Sequence, residues 1–173
     1  MNWKTKSGYG VAEIGFGAIE LLVQIYLLEL YVVAGLNPLL AGTALAAAVI
    51  WDAVSDPLMG LISDNTRAKT AKGKRLPYFF IGSLGIGLAF AFLLSPPQGD
   101  SSQLEMFSYL LFWYLILNTA GTLAGVPHLA IINDLGKSKS DRATLFSWRL
   151  GFGAFGLLVG FLTPVIIAKI SGH

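Results

Sequence analysis

Apolar residues run along this chain in long blocks, and the breaks between them are short and polar. The blocks extend from Tyr9 to Val33, Pro38 to Ile62, Pro77 to Leu94, Leu104 to Ile132 and Ala143 to Ile170. Crossing a hydrocarbon core takes about 20 helical residues, and each block is of that order. Backbone groups in lipid must bond within their own segment, and no block alternates strictly as a barrel strand would. The pattern predicts an all-α polytopic membrane bundle of five transmembrane helices, a single transmembrane domain over residues 1–173.

Composition agrees with that class. Of 173 residues 54% are hydrophobic and 13% charged, where a soluble domain carries about a quarter charged residues. There is no cysteine, which excludes a disulfide framework and a thiolate metal site. The N-terminal MNWKTKSGYG leads into an apolar run too long for a cleaved leader, so that run reads as the first span. No metal-ligand spacing, nucleophile elbow or nucleotide loop is present, and GFGAFG in the fifth block is a helix-packing pattern. An enzyme is not expected, nor any organic cofactor.

The net charge is +2, but position matters more than the sum. Arg67, Lys69, Lys72, Lys74 and Arg75 fill one connector, and Lys137, Lys139 and Arg142 another. The alternate connectors, GLNP and SPPQGDSSQ, carry no basic residue. The positive-inside bias then puts both basic loops and the Lys4/Lys6 terminus in the cytoplasm and the C-terminal AKISGH outside. Basic loops beside a membrane face anionic lipid heads, so nucleic acid is not an expected partner.

Within this apolar background a few polar side chains need a reason. Asp52, Ser55 and Asp56 in WDAVSDP are spaced i, i+3, i+4 and share one helical face, and Pro57 removes a backbone donor beside them. Two carboxylates this close repel unless a proton or a cation lies between them. Ionisable groups inside a span are costly and are functional candidates by default. Asp56 has a second reading as a hydrated helix-end residue paired with Arg67. In the first block Glu13, Glu20 and Gln24 fall on one face, and Glu20 reads either as an interhelical hydrogen-bonding residue or as part of a polar cavity. Glu29 and Tyr31 fit the outer, solvated interface. Asn118, Thr119 and Thr122 lie on the fourth block ahead of Pro127 and His128. Arg149, about two turns into the fifth, must snorkel or face an anionic solute or a carboxylate, with Asp52, Asp56 or Glu20 as partners.

At these residues the chain becomes familiar. WDAVSDPLMGLISDNTRAKTAKGKRLPY and VPHLAIINDLGKSKSDRATLFSWR resemble segments of the glycoside–pentoside–hexuronide:cation symporters, the family of melibiose permease within the major facilitator superfamily. YGVAEIGFGAIELLVQIYLLELYVVAGLNPLLAGT resembles that family's first helix and loop, so the likeness covers nearly the whole chain. Gly60, Asp64, Arg67, Gly73, Lys74 and Arg75 resemble the superfamily's cytoplasmic loop motif. The resemblance implies a coupling cation, sodium or a proton, held by Asp52, Ser55, Asp56 and Thr122, with sodium as the metal at Asp52 and Asp56. It leaves Glu20, Gln24, Asn118 and Arg149 as solute-cavity candidates.

The sugar half of the pattern departs: an acid near Phe16 or Gly17 is absent, Gly125 replaces an aspartate and Leu129 a tryptophan. LLVQIYLLEL also looks like the sodium-dependent lysophospholipid symporters. The implied function is symport of a sugar or related small solute across a bacterial inner or plasma membrane. The alternatives are lysophospholipid symport and a non-transporting scaffold bundle. The superfamily holds solute between two bundles near the midplane. The chain therefore reads as an N-terminal portion, whose partner is the missing C-terminal half or a second chain.

Overall fold

The structure, a computed structural model, describes residues 2–66, 75–99 and 101–170. These residues form helices α1 (Trp3–Gly10), α2 (Ala12–Leu22), a π-helical turn (Val23–Leu27), α3 (Leu28–Val33), α4 (Pro38–Asn65), α5 (Leu76–Leu93), α6 (Gln103–Leu135) and α7 (Lys139–Ile170), with no strand among them. Among the described residues five stretches are long and apolar enough to cross a membrane: Trp3–Val33, Pro38–Asn65, Leu76–Leu93, Gln103–Leu135 and Lys139–Ile167. The all-α class expected from the hydropathy pattern is what the chain adopts.

Several helices extend past the apolar blocks, because a helix ends at its cap and not at its last apolar residue. Asn37 caps α4, its side chain accepting from the Leu39 amide at 2.9 Å, and Pro38 follows at the first helical position. Ser102 accepts from the Glu105 amide at 3.2 Å ahead of α6. Ser138 accepts from the Asp141 amide at 3.0 Å and donates to the Asp141 carboxylate at 3.0 Å, so α7 starts at Lys139 rather than Ala143.

The chain divides into two compact units, residues 1–26 with 132–173, and residues 27–131. In the first, α2 lies on α7 through glycine. A Cβ at Gly17 would stand 2.6 Å from the Gly153 carbonyl oxygen, and one at Gly160 2.6 Å from that of Ala18. Gly156 meets the Ile14 carbonyl with no space for a side chain. Bare backbones therefore touch along the interface, the usual solution where lipid gives helices no hydrophobic reason to associate. Gly17→Ala is expected to lower stability by about 1–3 kcal/mol through overpacking. Gly15→Ala, with nothing within 4 Å, is the neutral control. Thermal unfolding in detergent checks both, and equal midpoints for the two would mean the interface yields.

In the second unit, α5 meets α6 in the same way, a Cβ at Gly82 reaching 2.6 Å from the Ala124 amide nitrogen. The loop after α3 turns at Gly35, whose φ of 107° is a left-handed conformation suited to glycine. Gln103 holds this loop from the start of α6, donating to the Gly35 carbonyl at 2.7 Å and accepting from the Asn37 amide at 2.7 Å. Tyr31, expected at a solvated interface, is instead fully buried, whereas Glu29 is exposed. A single span reads the same whichever neighbour covers it, so its sequence does not reveal this burial.

Candidate functional site

The polar residues of α4 meet those of α6 inside the second unit. Thr122, 8% exposed, donates its hydroxyl to Asp56 Oδ1 at 2.7 Å. Ser55 Oγ lies 3.4 Å from the same threonine oxygen. The Thr122 proton is directed at Asp56, so Ser55 is the donor in this long contact. Asp52, one turn earlier on the same face, is half-buried. Its Oδ1 is shielded from solvent and has no hydrogen-bond partner among the described residues. Asp52 and Asp56 lie close enough for their charges to interact. Helix α4 runs through Pro57 without interruption, as α6 does through Pro127. The spacing i, i+3, i+4 read from WDAVSDP thus becomes one oxygen-rich face, and Thr122 reaches it from the other helix.

Among the described residues no group of three His, Cys, Asp or Glu is placed to hold a metal ion. The set at Asp52 and Asp56 is of a different kind: two carboxylates and two hydroxyls, all hard oxygen donors. Such donors suit sodium or a proton, and not a metal that seeks nitrogen or sulfur. The orphaned Asp52 oxygen fits this chemistry, since a buried acceptor without a partner is costly until something binds it.

Arg149 lies in the first unit, and its partner is not one of those expected. Its Nε donates to Glu13 Oε1 at 2.6 Å, with the arginine side chain 25% and the glutamate 10% exposed. The expectation of Asp52, Asp56 or Glu20 is corrected. Asp52 and Asp56 belong to the other compact unit. Between the two glutamates of the α2 face, the glycine contacts of α2 on α7 decide the height. With Gly156 against Ile14 and Gly17 against Gly153, Glu13 is the acid beside Arg149, and Glu20 lies two turns further on. Gly10, Gly17, Gly153, Gly156 and Gly160 were the signal that would have found it.

Glu20 is exposed in this chain and not buried against another helix. It accepts a hydrogen bond from Gln24 at 3.1 Å. Gln24 sits in the π turn, a rare distortion that often marks functional positions in helices. Asn118 Nδ2 donates to the Tyr114 carbonyl one turn back, at 2.8 Å. Of the loop-motif residues, Gly60 and Asp64 lie toward the end of α4, and Arg75 Nη2 donates to Asp64 Oδ1 at 3.0 Å. Arg67, Gly73 and Lys74 lie outside the described residues. One feature escaped the sequence altogether: the Trp51 indole N–H donates to Thr119 Oγ1 at 2.9 Å, joining α4 to α6 one turn from Ser55 and Thr122.

Apolar helices of this length with carboxylates set inside them define a polytopic integral membrane protein. The family described as MFS/sugar transport protein matches residues 8–173, and the chain belongs to it. The chain is 30% identical over 173 residues to the symporter sll1374 of Synechocystis, covering 97% of this chain and 31% of that one. It is 30% identical over 169 residues to the putative glycoside/cation symporter YagG of Escherichia coli, covering 96% and 36%. It is 31% identical over 143 residues to the sodium-dependent lysophosphatidylcholine symporter 1-A of Danio rerio, covering 83% and 26%. The chain thus spans about a third of the length of these relatives or less.

Proposed function

We propose that these five spans are the N-terminal part of a cation-coupled secondary transporter, a symporter of a sugar or related small organic solute. The coupling cation, sodium or a proton, binds at Asp52 and Asp56, with Ser55 and Thr122 completing the set. The observation that carries this reading is the buried Asp52 oxygen without a partner, facing a second carboxylate that Thr122 already holds. Coupling follows from the repulsion. An empty pair of carboxylates disfavours the compact arrangement, and a bound cation cancels that penalty before the solute is taken up.

Glu20, Gln24, Asn118 and Arg149 are the candidates for solute contact in this reading. Arg149 holds Glu13 through its Nε. The rest of the transporter, another part of the same polypeptide or a second chain, supplies the other half of the solute site. A lysophospholipid solute is the second reading, supported by the likeness to the zebrafish symporter.

The protein lies in a bacterial inner or plasma membrane with its N-terminus in the cytoplasm, and its basic loops meet anionic lipid heads. In intact cells, Lys137→Cys is expected to be protected from an impermeant thiol reagent while Gly99→Cys reacts. The opposite labelling would reverse the orientation. Transport itself is tested with the full-length protein in proteoliposomes, by comparing uptake of glycosides and of lysophospholipids under imposed sodium or proton gradients. Gradient-driven accumulation supports the reading, and uptake indifferent to both gradients refutes it.

A further inference from the structure

We propose that Trp51 and Thr119 are positioning residues for the cation site. Their hydrogen bond fixes the register of α4 on α6 that keeps Thr122 against Asp56, and through it sets cation affinity. The inference rests on the cation site proposed above, and its test is built to separate the two.

The bond is fully accounted for in protons. Thr119 Oγ1 donates to the Leu115 carbonyl at 2.7 Å, one turn back on its own helix. That back-bond fixes the threonine rotamer and leaves a lone pair aimed across the gap. The indole nitrogen is a donor only, and it fills that lone pair at 2.9 Å. Trp51 is 45% exposed, so this bond, and not enclosure, is what orients the indole.

Two rungs therefore join these helices, Trp51 to Thr119 and then, one turn on, Ser55 and Asp56 to Thr122. One rung alone leaves the helices free to pivot about it, whereas two in succession fix both height and rotation. The alignment has little other support from bare backbone contact. Gly42 and Gly60 of α4, and Gly121 and Gly125 of α6, have nothing within 4 Å of where a Cβ would stand. The α5–α6 pair, by contrast, is locked at Gly82. The upper rung also borders a hollow. Trp51 and Thr119 wall a hollow of about 180 Å³ whose other walls include Ser55, Thr122, Leu58 and Met59. The two hydroxyls thus open onto a largely apolar hollow, where small displacements alter a cation's binding more than they would in water.

The test is sodium binding by titration calorimetry on the purified full-length protein, with the thermal midpoint of each variant measured alongside. Thr119→Val and Trp51→Phe are each expected to weaken sodium binding about 2- to 10-fold, the equivalent of one net hydrogen bond. The double variant should be no worse than either single, because both remove the same bond. Thr119→Ser keeps the hydroxyl and should bind as the parent does. Asp56→Asn is the control that should abolish binding. If the parent takes up no sodium, the same variants are compared by the pH midpoint of carboxyl protonation in infrared difference spectra, where a shift replaces the fold-change. Loss in Asp56→Asn with parental binding in both Thr119→Val and Trp51→Phe would overturn the rung and leave the site standing. Parental binding in Asp56→Asn would overturn the site itself. Weakening that Thr119→Ser fails to prevent, or that merely tracks the thermal midpoint, would mark the pair as structural and sink the proposal.

Discussion

Arg149→Ala is expected to lower stability by about 3–5 kcal/mol, the range seen when one member of a buried ion pair is removed. The cost comes less from the lost bond than from what stays behind. Glu13 is 10% exposed, is held at 2.6 Å by the arginine, and lies on the face of α2 that packs on α7 through glycine. Removing the charge it was paired with leaves an anion in an apolar setting. Removing both should therefore recover most of the loss: Arg149→Ala with Glu13→Gln is expected to be more stable than Arg149→Ala alone. The rescue should be specific, so that Glu20→Gln in place of Glu13→Gln restores nothing. Thermal unfolding of the variants in detergent measures all of this. A parental midpoint for Arg149→Ala would mean that the arginine only reaches for the interface, and rescue by Glu20→Gln would reassign its partner.

That partner illustrates what the sequence makes legible and what it does not. The spans were readable because lipid imposes one simple demand, length and apolarity, that acts residue by residue. The face shared by Asp52, Ser55 and Asp56 was readable because helical spacing is local. Thr122, which bonds Asp56 at 2.7 Å, was tied to that face only through the family resemblance, since nothing local links two residues on different helices. Arg149 lies far along the chain from Glu13, Glu20, Asp52 and Asp56, and the choice between the two glutamates depends on the register of α2 on α7. That register is written in the small residues, Gly17 beside Gly153 and Gly156 beside Ile14, and not in the charges. The Trp51–Thr119 bond was hidden for a related reason. A tryptophan beside an aspartate and a threonine in an apolar helix each have ordinary explanations, and only their meeting across α4 and α6 gives them a joint one.

Asp52→Asn and Asp56→Asn are each expected to abolish cation-driven uptake by the full-length transporter in proteoliposomes while leaving the protein folded. The two reach that result differently. Asp56 already has a partner in Thr122, and asparagine can still accept that hydroxyl, so Asp56→Asn should leave the α4–α6 contact in place while removing one of the two charges a cation requires. Asp52 has a buried oxygen with no partner and lies near a second carboxylate, so asparagine there removes a partly buried charge and its repulsion with Asp56 and should leave stability equal to or above that of the parent. Loss of transport with unchanged or raised stability is the signature of a binding group and not of a packing group. Ser55→Ala removes only a neutral donor at the long 3.4 Å contact, and should weaken cation affinity mildly with uptake retained at high cation concentration. The measurements are uptake against an imposed sodium or proton gradient and the thermal midpoint of each variant. Unchanged gradient-driven uptake in both aspartate variants would make the pair structural, and the cation would then have to be sought at Glu20, the remaining exposed acid on the α2 face, held only by Gln24 among the hydrogen bonds described.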